Sequence, residues 1–337
     1  MDISLFDYSL PSYFIAKYPK QIRDNSNLLI FNRTNNIITH TKFYNILSFI
    51  DSNDILIGND VTVIPARIFG KRKTGGKVEF LLVKKLDNFT WEVLIKSSKK
   101  LKKGEIIEFE DFYATIKNER VVEFSINLDY DTLFKINAHM PLPPYLKRED
   151  REIDYTMYQT VYSNLNKKGA IAAPTAGLHF TDELLNKLKI KGIPFHYITL
   201  YVGIGTFAPV RVEKIEEHKM HKETYEISEN LAKIINNAKL KGKKIVGVGT
   251  TTVRALEDNF KRFGYIKSGK FETDIFIYPG FKFNVIDKLI TNFHLPKSTL
   301  LMLVSAFAGR ENILKCYEIA KEKNYKFFSY GDSMLII

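Results

Sequence analysis

The alternation of apolar and polar positions changes character twice along the chain. Up to about residue 60, and again from about residue 169 onwards, apolar runs typical of strands alternate with segments whose apolar residues recur at helical spacing. Strands and helices that alternate in this way predict an α/β fold built on a parallel sheet of barrel-like form. We therefore expect the two outer segments to form one large α/β domain.

Between about residues 61 and 130 the helical spacing disappears and short alternating runs replace it. Polar turns join these runs, which occupy residues 77–83, 91–95, 105–109, 113–116 and 121–124. Many short strands at regular spacing indicate an antiparallel sheet closed as a small barrel. A proline-rich stretch at residues 139–145 is typical of a rigid connection between domains. The prediction is a large domain of residues 1–60 and 153–337, with residues 61–152 inserted as a small antiparallel β-barrel domain.

The stretch AIAAPTAGLHFTDELL at residues 170–185 combines three features of a binding site. Residues 170–173 are apolar on both faces, as an interior parallel strand would be, and Pro174 ends that strand. A turn of small residues with His179 follows, and Thr181 can cap the next helix. A strand, a small-residue turn and a helix N-terminus together indicate a site for an anionic or polar ligand. The alternative is a tight connection that contains a packed histidine.

Polar residues elsewhere also interrupt the apolar pattern just after predicted strands. They occur at Thr175 and His179, and at residues 203–206, 249–254 and 292–294. Ligands bind at this edge in parallel α/β folds, so we expect one ligand site there. The glycines at 203 and 205 lack the third glycine of a dinucleotide fingerprint, and no lysine follows residues 247–252 as a P-loop needs.

His218 and His221 have the spacing of two residues on one helix face. A zinc site would need a third ligand, and none is evident in the sequence. Acid–base chemistry or phosphate contact suits the pair better, because histidine titrates near neutrality. A pair of surface residues is the alternative. His294, between Phe293 and Leu295, could equally be a hydrogen-bonded core residue.

Composition favours a polyanionic partner, and the cysteine count excludes two kinds of site. The formal net charge is +12 over 337 residues, although only 11 of the 50 basic residues are arginine. The lysine excess can reflect genome composition, so each arginine inside a motif is the more informative. The single cysteine, Cys316, excludes an internal disulfide and a cysteine-based zinc site. No apolar run approaches the roughly 20 residues of a membrane span, and no signal peptide is recognisable, so we expect a cytoplasmic protein.

Ordered blocks along essentially the whole length resemble one known family. The blocks are VIPAR (63–67), TGGKVE (74–79), HMPLPPY (139–145), AAPTAGLHF (172–180), GTF (205–207), PVRV (209–212), VGTT (248–251), IYPGF (277–281), TNFHLP (291–296) and SYGD (329–332), together with His218, His221, Val253 and Arg254. They resemble the S-adenosylmethionine:tRNA ribosyltransferase-isomerase family of queuosine biosynthesis. Asn27, Thr62 and Tyr201 depart from it, because the family usually has arginine at the first two positions and histidine at the third.

The resemblance implies a large α/β barrel-like domain with an inserted β-barrel, and a specific reaction. The ribosyl part of S-adenosylmethionine is transferred and isomerised onto 7-aminomethyl-7-deazaguanine at the tRNA wobble position. Epoxyqueuosine-tRNA forms, and adenine and methionine leave. The sulfonium acidifies the ribose 5′ carbon and adenine leaves best when protonated, so a general base and a general acid are needed. S-adenosylmethionine carries the reactive carbon, so no metal or further cofactor is expected.

We assign site residues on the matched motifs as hypotheses. His179 and His294 form the acid–base centre. S-adenosylmethionine is bound by Thr175, Gly205, Thr206, Thr250, Thr251, Arg254 and Asn292. The tRNA substrate is bound by Arg67, Arg211, His218, His221, Tyr278 and Asp332. Arginine is favoured for carboxylate and phosphate because it can bind both bidentately. We expect a monomer.

Two other classes of protein remain open from the sequence alone. The charge and the small barrel would also suit a nucleic-acid-binding module without catalysis, which would need basic and aromatic residues clustered on the barrel. A metal-dependent enzyme of the (β/α) barrel type would use His218 and His221. Adenine release from S-adenosylmethionine and metal analysis of the purified protein distinguish the three.

Overall fold

The computed structural model describes residues 1–203, 205, 210 and 212–337. Its strands are β1 (Asn27–Asn32), β2 (Ile37–Lys42), β3 (Asp54–Asn59), β4 (Thr62–Val63), β5 (Arg67–Arg72), β6 (Lys77–Lys85), β7 (Thr90–Ser97), β8 (Ile106–Glu108), β9 (Tyr113–Ile116), β10 (Val121–Phe124), β11 (Lys168–Ala170), β12 (Phe195–Leu200), β13 (Glu223–Ile227), β14 (Lys244–Val248), β15 (Gly269–Thr273), β16 (Lys288–Asn292) and β17 (Ser333–Ile336). Its helices are α1 (Tyr130–Leu133), α2 (Glu152–Met157), α3 (Asp182–Ile190), α4 (Glu229–Leu240), α5 (Thr250–Phe263), α6 (Thr299–Ala308) and α7 (Arg310–Glu322).

Nine of the strands outside the barrel form one extended mixed sheet in the order β15-β13-β12-β3-β14-β16-β17-β1-β2, and β4 pairs separately with β11. The central strands β12, β3, β14 and β16 are parallel, whereas β16 and β17 are antiparallel, as are β1 and β2. The α/β class is confirmed, but the sheet is mixed where the sequence predicts a parallel one. The short connection from β1 to β2 has no helical crossover, which only antiparallel strands allow, whereas β17 lies antiparallel beside β16 after the helices α6 and α7.

Both faces of this sheet are covered. Leu28 and Ile30 of β1 join one apolar cluster with α3, while Leu29 and Phe31 join another with α5 and α6. Successive strand residues point to opposite faces, so a strand buried on both sides must be apolar at every position. This explains the unbroken apolar run in β1.

Strands β5 to β10 close into an antiparallel barrel, as the alternating runs predict. Its interior is a separate apolar cluster that contains Trp91, Phe80 and Phe124. The chain enters this region after β4 and returns through β11, which pairs in parallel with β4. The small antiparallel barrel is therefore confirmed, while the domain boundaries at residues 60–61 and 152–153 stay a prediction.

Two local predictions are corrected by the structure. The predicted strand at residues 170–173 ends at Ala170, because the N–H of Ile171 donates to the carbonyl of Val202 and leaves the ladder. His218 and His221 do not share a helix, since a short 3₁₀ helix at Ile215–Glu217 ends just before His218 and irregular backbone follows.

Candidate active site

A cleft of about 630 Å³ opens at the carboxyl ends of the central parallel strands. Val202 follows β12, Gly249 follows β14 and Asn292 ends β16, so the three chain segments meet at one edge of the sheet. The lining residues are Tyr145, Ala173, Pro174, Thr175, Ala176, Val202, Gly249, Thr250, Thr251, Thr291, Asn292, Phe293, His294, Leu295, Ser298, Leu300, Phe328 and Ser329. The cleft brings together the predicted residues Thr175, Thr250, Thr251, Asn292 and His294.

Two helices begin at the wall of this cleft. Gly249 precedes α5 with φ of 91°, a left-handed conformation that favours glycine and turns the chain sharply from strand to helix. Ser298 caps α6, where its side chain accepts a hydrogen bond from the N–H of Leu301. Helix N-termini carry partial positive charge and free N–H groups, which attract anionic groups. This wall therefore suits a carboxylate or another electron-rich part of a ligand.

Two buried polar atoms that belong to cleft residues have no hydrogen-bond partner among the described residues. They are Oγ1 of Thr251 and Oδ1 of Asn292, whose residues are 7% and 2% exposed. Leaving a buried polar atom unpaired costs about 1–3 kcal/mol, so native proteins rarely do so without a reason. A ligand that supplies the missing partners would remove this cost.

His294 borders the cleft with a fixed backbone. Its N–H donates to the Tyr317 hydroxyl at 2.9 Å, and its carbonyl accepts from Tyr8. The ring Nε2 lies 2.8 Å from Oγ1 of Thr291, and the described residues give Nδ1 no hydrogen bond. Burial lowers the pKa of His294 to about 3, so the ring is neutral near pH 7 and one nitrogen is an unprotonated acceptor.

His179 lies behind Asn292 and does not line the cleft. Its Nδ1 is 2.8 Å from the Ser26 hydroxyl, its Nε2 is 3.2 Å from Nδ2 of Asn292, and its ring packs on Phe43 with the centroids 5.1 Å apart. Burial lowers its pKa to about 4, although the nearby carboxylate of Asp332 acts in the opposite direction. His179 reaches the cleft only through the amide of Asn292.

Arg254 forms a buried ion pair with Glu223 of β13. The other carboxylate oxygen of Glu223 accepts the N–H of Gly203 at 2.9 Å. Nε of Arg254 donates to the carbonyl of Ile275 at 3.3 Å, and within the described part of the chain Nη2 is unpaired. Arg254 therefore supports the glycine-containing loop after β12 and is absent from the wall of the cleft.

Asp332 is fully buried and anchors the C-terminal loop. It accepts the N–H of Asn27 at 2.7 Å, the Asn27 side-chain amide at 3.1 Å, the N–H of Lys326 at 2.8 Å and the ammonium of Lys20. Two of these four donors belong to Asn27, where the family usually has arginine. A shorter side chain at this position still provides two donors, because one is the backbone itself.

Thr62 and Tyr201, the other two residues that depart from the family, each form a hydrogen bond with a neighbouring residue. The hydroxyl of Thr62 is buried and donates to the carbonyl of Asn164 at 2.7 Å. Burial raises the pKa of Tyr201 to about 12, and its hydroxyl donates to Glu226 at 3.4 Å. Neither residue borders the cleft, although Tyr201 lines the neighbouring groove.

A basic groove of about 1620 Å³ lies between the barrel and the mixed sheet, and it shares Val202 with the cleft. Among the described residues its charged lining comprises six lysines or arginines and three glutamates: Lys84, Lys85, Arg120, Lys168, Lys222, Lys270, Glu92, Glu223 and Glu272. His221 lies in this groove, where its ring packs within 2.9 Å of the position that a Gly205 side chain would take. Gly205 is therefore needed for close packing against His221.

The remaining predicted tRNA residues lie apart from one another. Arg67 is on β5, where Nε lies 3.1 Å from a carboxylate oxygen of Glu79 and Nη2 donates to the Leu142 carbonyl at 3.2 Å. His218 packs against Phe276, which in turn packs against Tyr278. Two further predicted residues, Thr206 and Arg211, lie outside the described residues.

Several cleft residues were not singled out from the sequence. Phe328 has φ of 70°, and its carbonyl accepts a hydrogen bond from Nδ2 of Asn292 at 3.0 Å. Tyr145 packs on Phe328 with ring centroids 4.7 Å apart and is hydrogen-bonded to Ser329. Tyr145 and Ser329 lie in sequence blocks that match the family, so both could have been selected as candidate site residues. The strained backbone of Phe328 could not be predicted from the sequence.

In the part of the chain that the structure describes, no group of three or more His, Cys, Asp or Glu side chains could hold a metal ion. His218 and His221 therefore have no third ligand of these types within that part. The helices of the described residues include none that is long and apolar enough to cross a membrane.

The structure is that of an α/β protein with a cleft at the carboxyl ends of its parallel strands and a basic groove beside it. The sequence model of the queuosine biosynthesis protein family matches residues 3–336. The S-adenosylmethionine:tRNA ribosyltransferase-isomerase of Halothermothrix orenii is 47% identical over 100% of both chains, and that of Fusobacterium nucleatum subsp. nucleatum is 47% identical over 99% of this chain and 96% of its own. The crystal structure of S-adenosylmethionine tRNA ribosyltransferase from Thermotoga maritima is 33% identical, with TM-score 0.57 over 99% of this chain and 100% of its own. The chain belongs to the queuosine biosynthesis protein family, and the resemblance found in the sequence is confirmed.

Proposed function

We propose that this chain catalyses the reaction for which its relatives are named, ribosyl transfer and isomerisation between S-adenosylmethionine and tRNA. The ribosyl moiety passes to 7-aminomethyl-7-deazaguanine at the wobble position, epoxyqueuosine-tRNA forms, and adenine and methionine leave. The observation that carries this proposal is the cleft, where two buried polar atoms have no hydrogen-bond partner among the described residues and two helices begin. Identity of 47% over full length with enzymes of that name supports it.

S-adenosylmethionine fits the chemistry of the cleft. Its carboxylate suits the N-terminal ends of α5 and α6, where helix dipoles and free N–H groups favour negative charge. Its hydroxyl and amine groups suit Thr175, Thr250, Thr251 and Asn292, which offer hydroxyl and amide groups on the same wall. In this assignment Arg254 acts indirectly, because its charge is matched by Glu223 and the pair holds the Gly203 loop beside the cleft.

His294 is the residue that we assign to acid–base chemistry in the cleft. The positive sulfonium acidifies the ribose 5′ carbon, so a neutral imidazole can remove that proton. His294 is neutral because burial lowers its pKa, and its Nδ1 has no hydrogen-bond partner among the residues described. The same ring, once protonated, can return a proton as adenine leaves.

The basic groove is the surface that we assign to tRNA. It adjoins the cleft at Val202, so a base held near the cleft would leave its phosphates over Lys84, Lys168 and Lys222. His221 would face the tRNA in this arrangement. The roles predicted for Gly205, Thr206, Arg67, Arg211, His218, Tyr278 and Asp332 stay hypotheses. We further propose that the protein acts as a monomer in the cytoplasm, where its tRNA substrate is found, and light scattering after gel filtration tests the first point.

Adenine release tests the activity. The protein is incubated with S-adenosylmethionine and with tRNA that carries the 7-deaza base, and free adenine is measured. We expect release only with both substrates. His294→Ala should lower the turnover by about 100-fold or more, which is typical of a lost general acid or base. His196→Ala is the matched control, because His196 is a half-buried histidine of β12 away from the cleft. Absence of adenine from the wild-type reaction would contradict the proposed function.

A further inference from the structure

The side-chain amide of Asn292 is held in a single orientation at the end of β16. Nδ2 donates to the carbonyl of Phe328 at 3.0 Å and approaches Nε2 of His179 at 3.2 Å, so both amide hydrogens are used. Reversing the amide would set Oδ1 against the Phe328 carbonyl, where two acceptors would repel each other. The network therefore fixes Oδ1 as the end of the amide that remains unpaired within the described residues.

His179 completes this network only in one tautomer. Nε2 must be unprotonated to accept from Asn292, so the ring hydrogen is on Nδ1, which donates to the Ser26 hydroxyl at 2.8 Å. The ring is 4% exposed and packs on Phe43, so neither nitrogen is open to the cleft. Both nitrogens are used by these hydrogen bonds, and Asn292 stands between the ring and the cleft.

We propose that His179 is a positioning residue, which orients Asn292 so that Oδ1 accepts a hydrogen bond from an O–H or N–H of the nucleoside part of S-adenosylmethionine. The inference rests on the proposed function and deepens it, since it assigns a specific acceptor in the cleft. Asn292 is 2% exposed, so an amide left without its partner has no access to bulk water. A bound ribose hydroxyl or adenine amine provides the donor that the described residues do not. The histidine does not exchange a proton with the substrate.

Variants of His179 separate positioning from proton transfer. His179→Gln can place Oε1 near the position of Nε2 and still accept from Asn292, but it cannot carry a proton near neutral pH. His179→Ala removes the acceptor and frees the amide to rotate. Calorimetry with S-adenosylmethionine alone measures the dissociation constant, and adenine release with modified tRNA measures kcat and KM. Far-UV circular dichroism and thermal unfolding show that each variant is folded.

We expect Asn292→Ala and His179→Ala to weaken S-adenosylmethionine binding by roughly 10- to 100-fold, as loss of a buried hydrogen bond predicts. His179→Gln should restore binding to within about fivefold of wild type and keep most of kcat. His196→Ala should match wild type. S-adenosylmethionine analogues that lack the 2′-hydroxyl, the 3′-hydroxyl or the adenine amine identify the donor. The analogue that lacks the group bonded to Oδ1 should bind wild type and Asn292→Ala with the same affinity.

Equal losses of kcat in His179→Gln and His179→Ala, with unchanged S-adenosylmethionine affinity, would show that His179 transfers protons and would overturn the inference. Wild-type affinity in Asn292→Ala would overturn it as well. In both cases the wild-type enzyme still binds S-adenosylmethionine and releases adenine. A wild-type protein that does neither would instead refute the proposed function, and the inference with it.

Discussion

The two buried histidines should make the free energy of unfolding fall as the pH is lowered from neutral towards 5. Burial lowers the pKa of His179 to about 4 and that of His294 to about 3. An unfolded histidine titrates near 6.5, so in this range the unfolded chain binds protons that the folded chain does not. The stability that these neutral rings contribute is therefore fully present above about pH 6.5 and is lost as the pH falls towards 4.

The size of the effect follows from the separation of the pKa values. Each histidine should lower the free energy of unfolding by about 2 kcal/mol between about pH 7.5 and about pH 5, or about 4 kcal/mol together. Burial also lowers the pKa values of His40, His196 and His218, which act in the same direction. It raises those of Asp60 and Glu257, which act in the opposite direction. Only a comparison between variants isolates the two site histidines.

Urea denaturation followed by far-UV circular dichroism measures this comparison across the pH range. His179→Gln and His294→Gln should each lose about 2 kcal/mol less than wild type on acidification, and the double variant about 4 kcal/mol less. Only the dependence on pH is compared, because each substitution also changes stability at neutral pH. His221→Gln, at an exposed position, is the control. If the double variant follows the same pH dependence as wild type, the two rings are not buried and neutral as described.

Two further predictions concern residues that support the cleft. Arg254→Met should lower the free energy of unfolding by about 3–5 kcal/mol, because it removes the guanidinium that forms an ion pair with the buried carboxylate of Glu223. Arg254→Met combined with Glu223→Gln should be more stable than Arg254→Met alone in urea, and equal stability would contradict the ion-pair argument. Gly331→Ala should weaken S-adenosylmethionine binding at least severalfold, since the new Cβ would lie 2.5 Å from the Lys326 carbonyl oxygen and displace the loop that carries Ser329. Gly76→Ala is its control, because that Cβ meets only the flexible Arg72 side chain at 3.2 Å, and equal affinities in the two variants would refute the packing argument.

Much of the local structure around the site could be predicted because its causes are local. Thr181 caps α3 by accepting from the N–H of Leu184, with acidic residues in the first helical turn, as the sequence indicates. The apolar runs at residues 244–248 and 299–308 form β14 and α6, as their local apolar patterns indicate. Thr250 and Asn292 were expected at one edge because parallel strands bring their carboxyl ends together, and both line the cleft.

The contacts that decide individual roles could not be predicted, because they join residues far apart in the chain. His179 is bonded to Ser26 and Asn292, which lie 153 and 113 positions away. The pairing of Arg254 with Glu223 depends on how α5 crosses the sheet, so the local sequence pattern does not predict this ion pair. The helix expected for His218 and His221 failed for a related reason: the spacing of two histidines carries no information about the backbone between them.

The stretch at residues 170–185 shows why a binding site and a packed histidine were hard to separate from the sequence. Thr175 lines the cleft, while His179, only four positions later, is buried against Phe43. The ligand-site interpretation therefore holds for Thr175, and the packed-histidine interpretation holds for His179. In our assignment His179 supports the cleft without lining it. A histidine that is buried, packed on Phe43 and bonded at both nitrogens cannot easily reorient, so it holds the Asn292 amide more firmly than a solvent-exposed ring would. His294 has only one ring nitrogen bonded to the described residues and borders the cleft. Since burial lowers the pKa of both rings, accessibility rather than pKa distinguishes the histidine that we assign to proton transfer from the one that we assign to orientation.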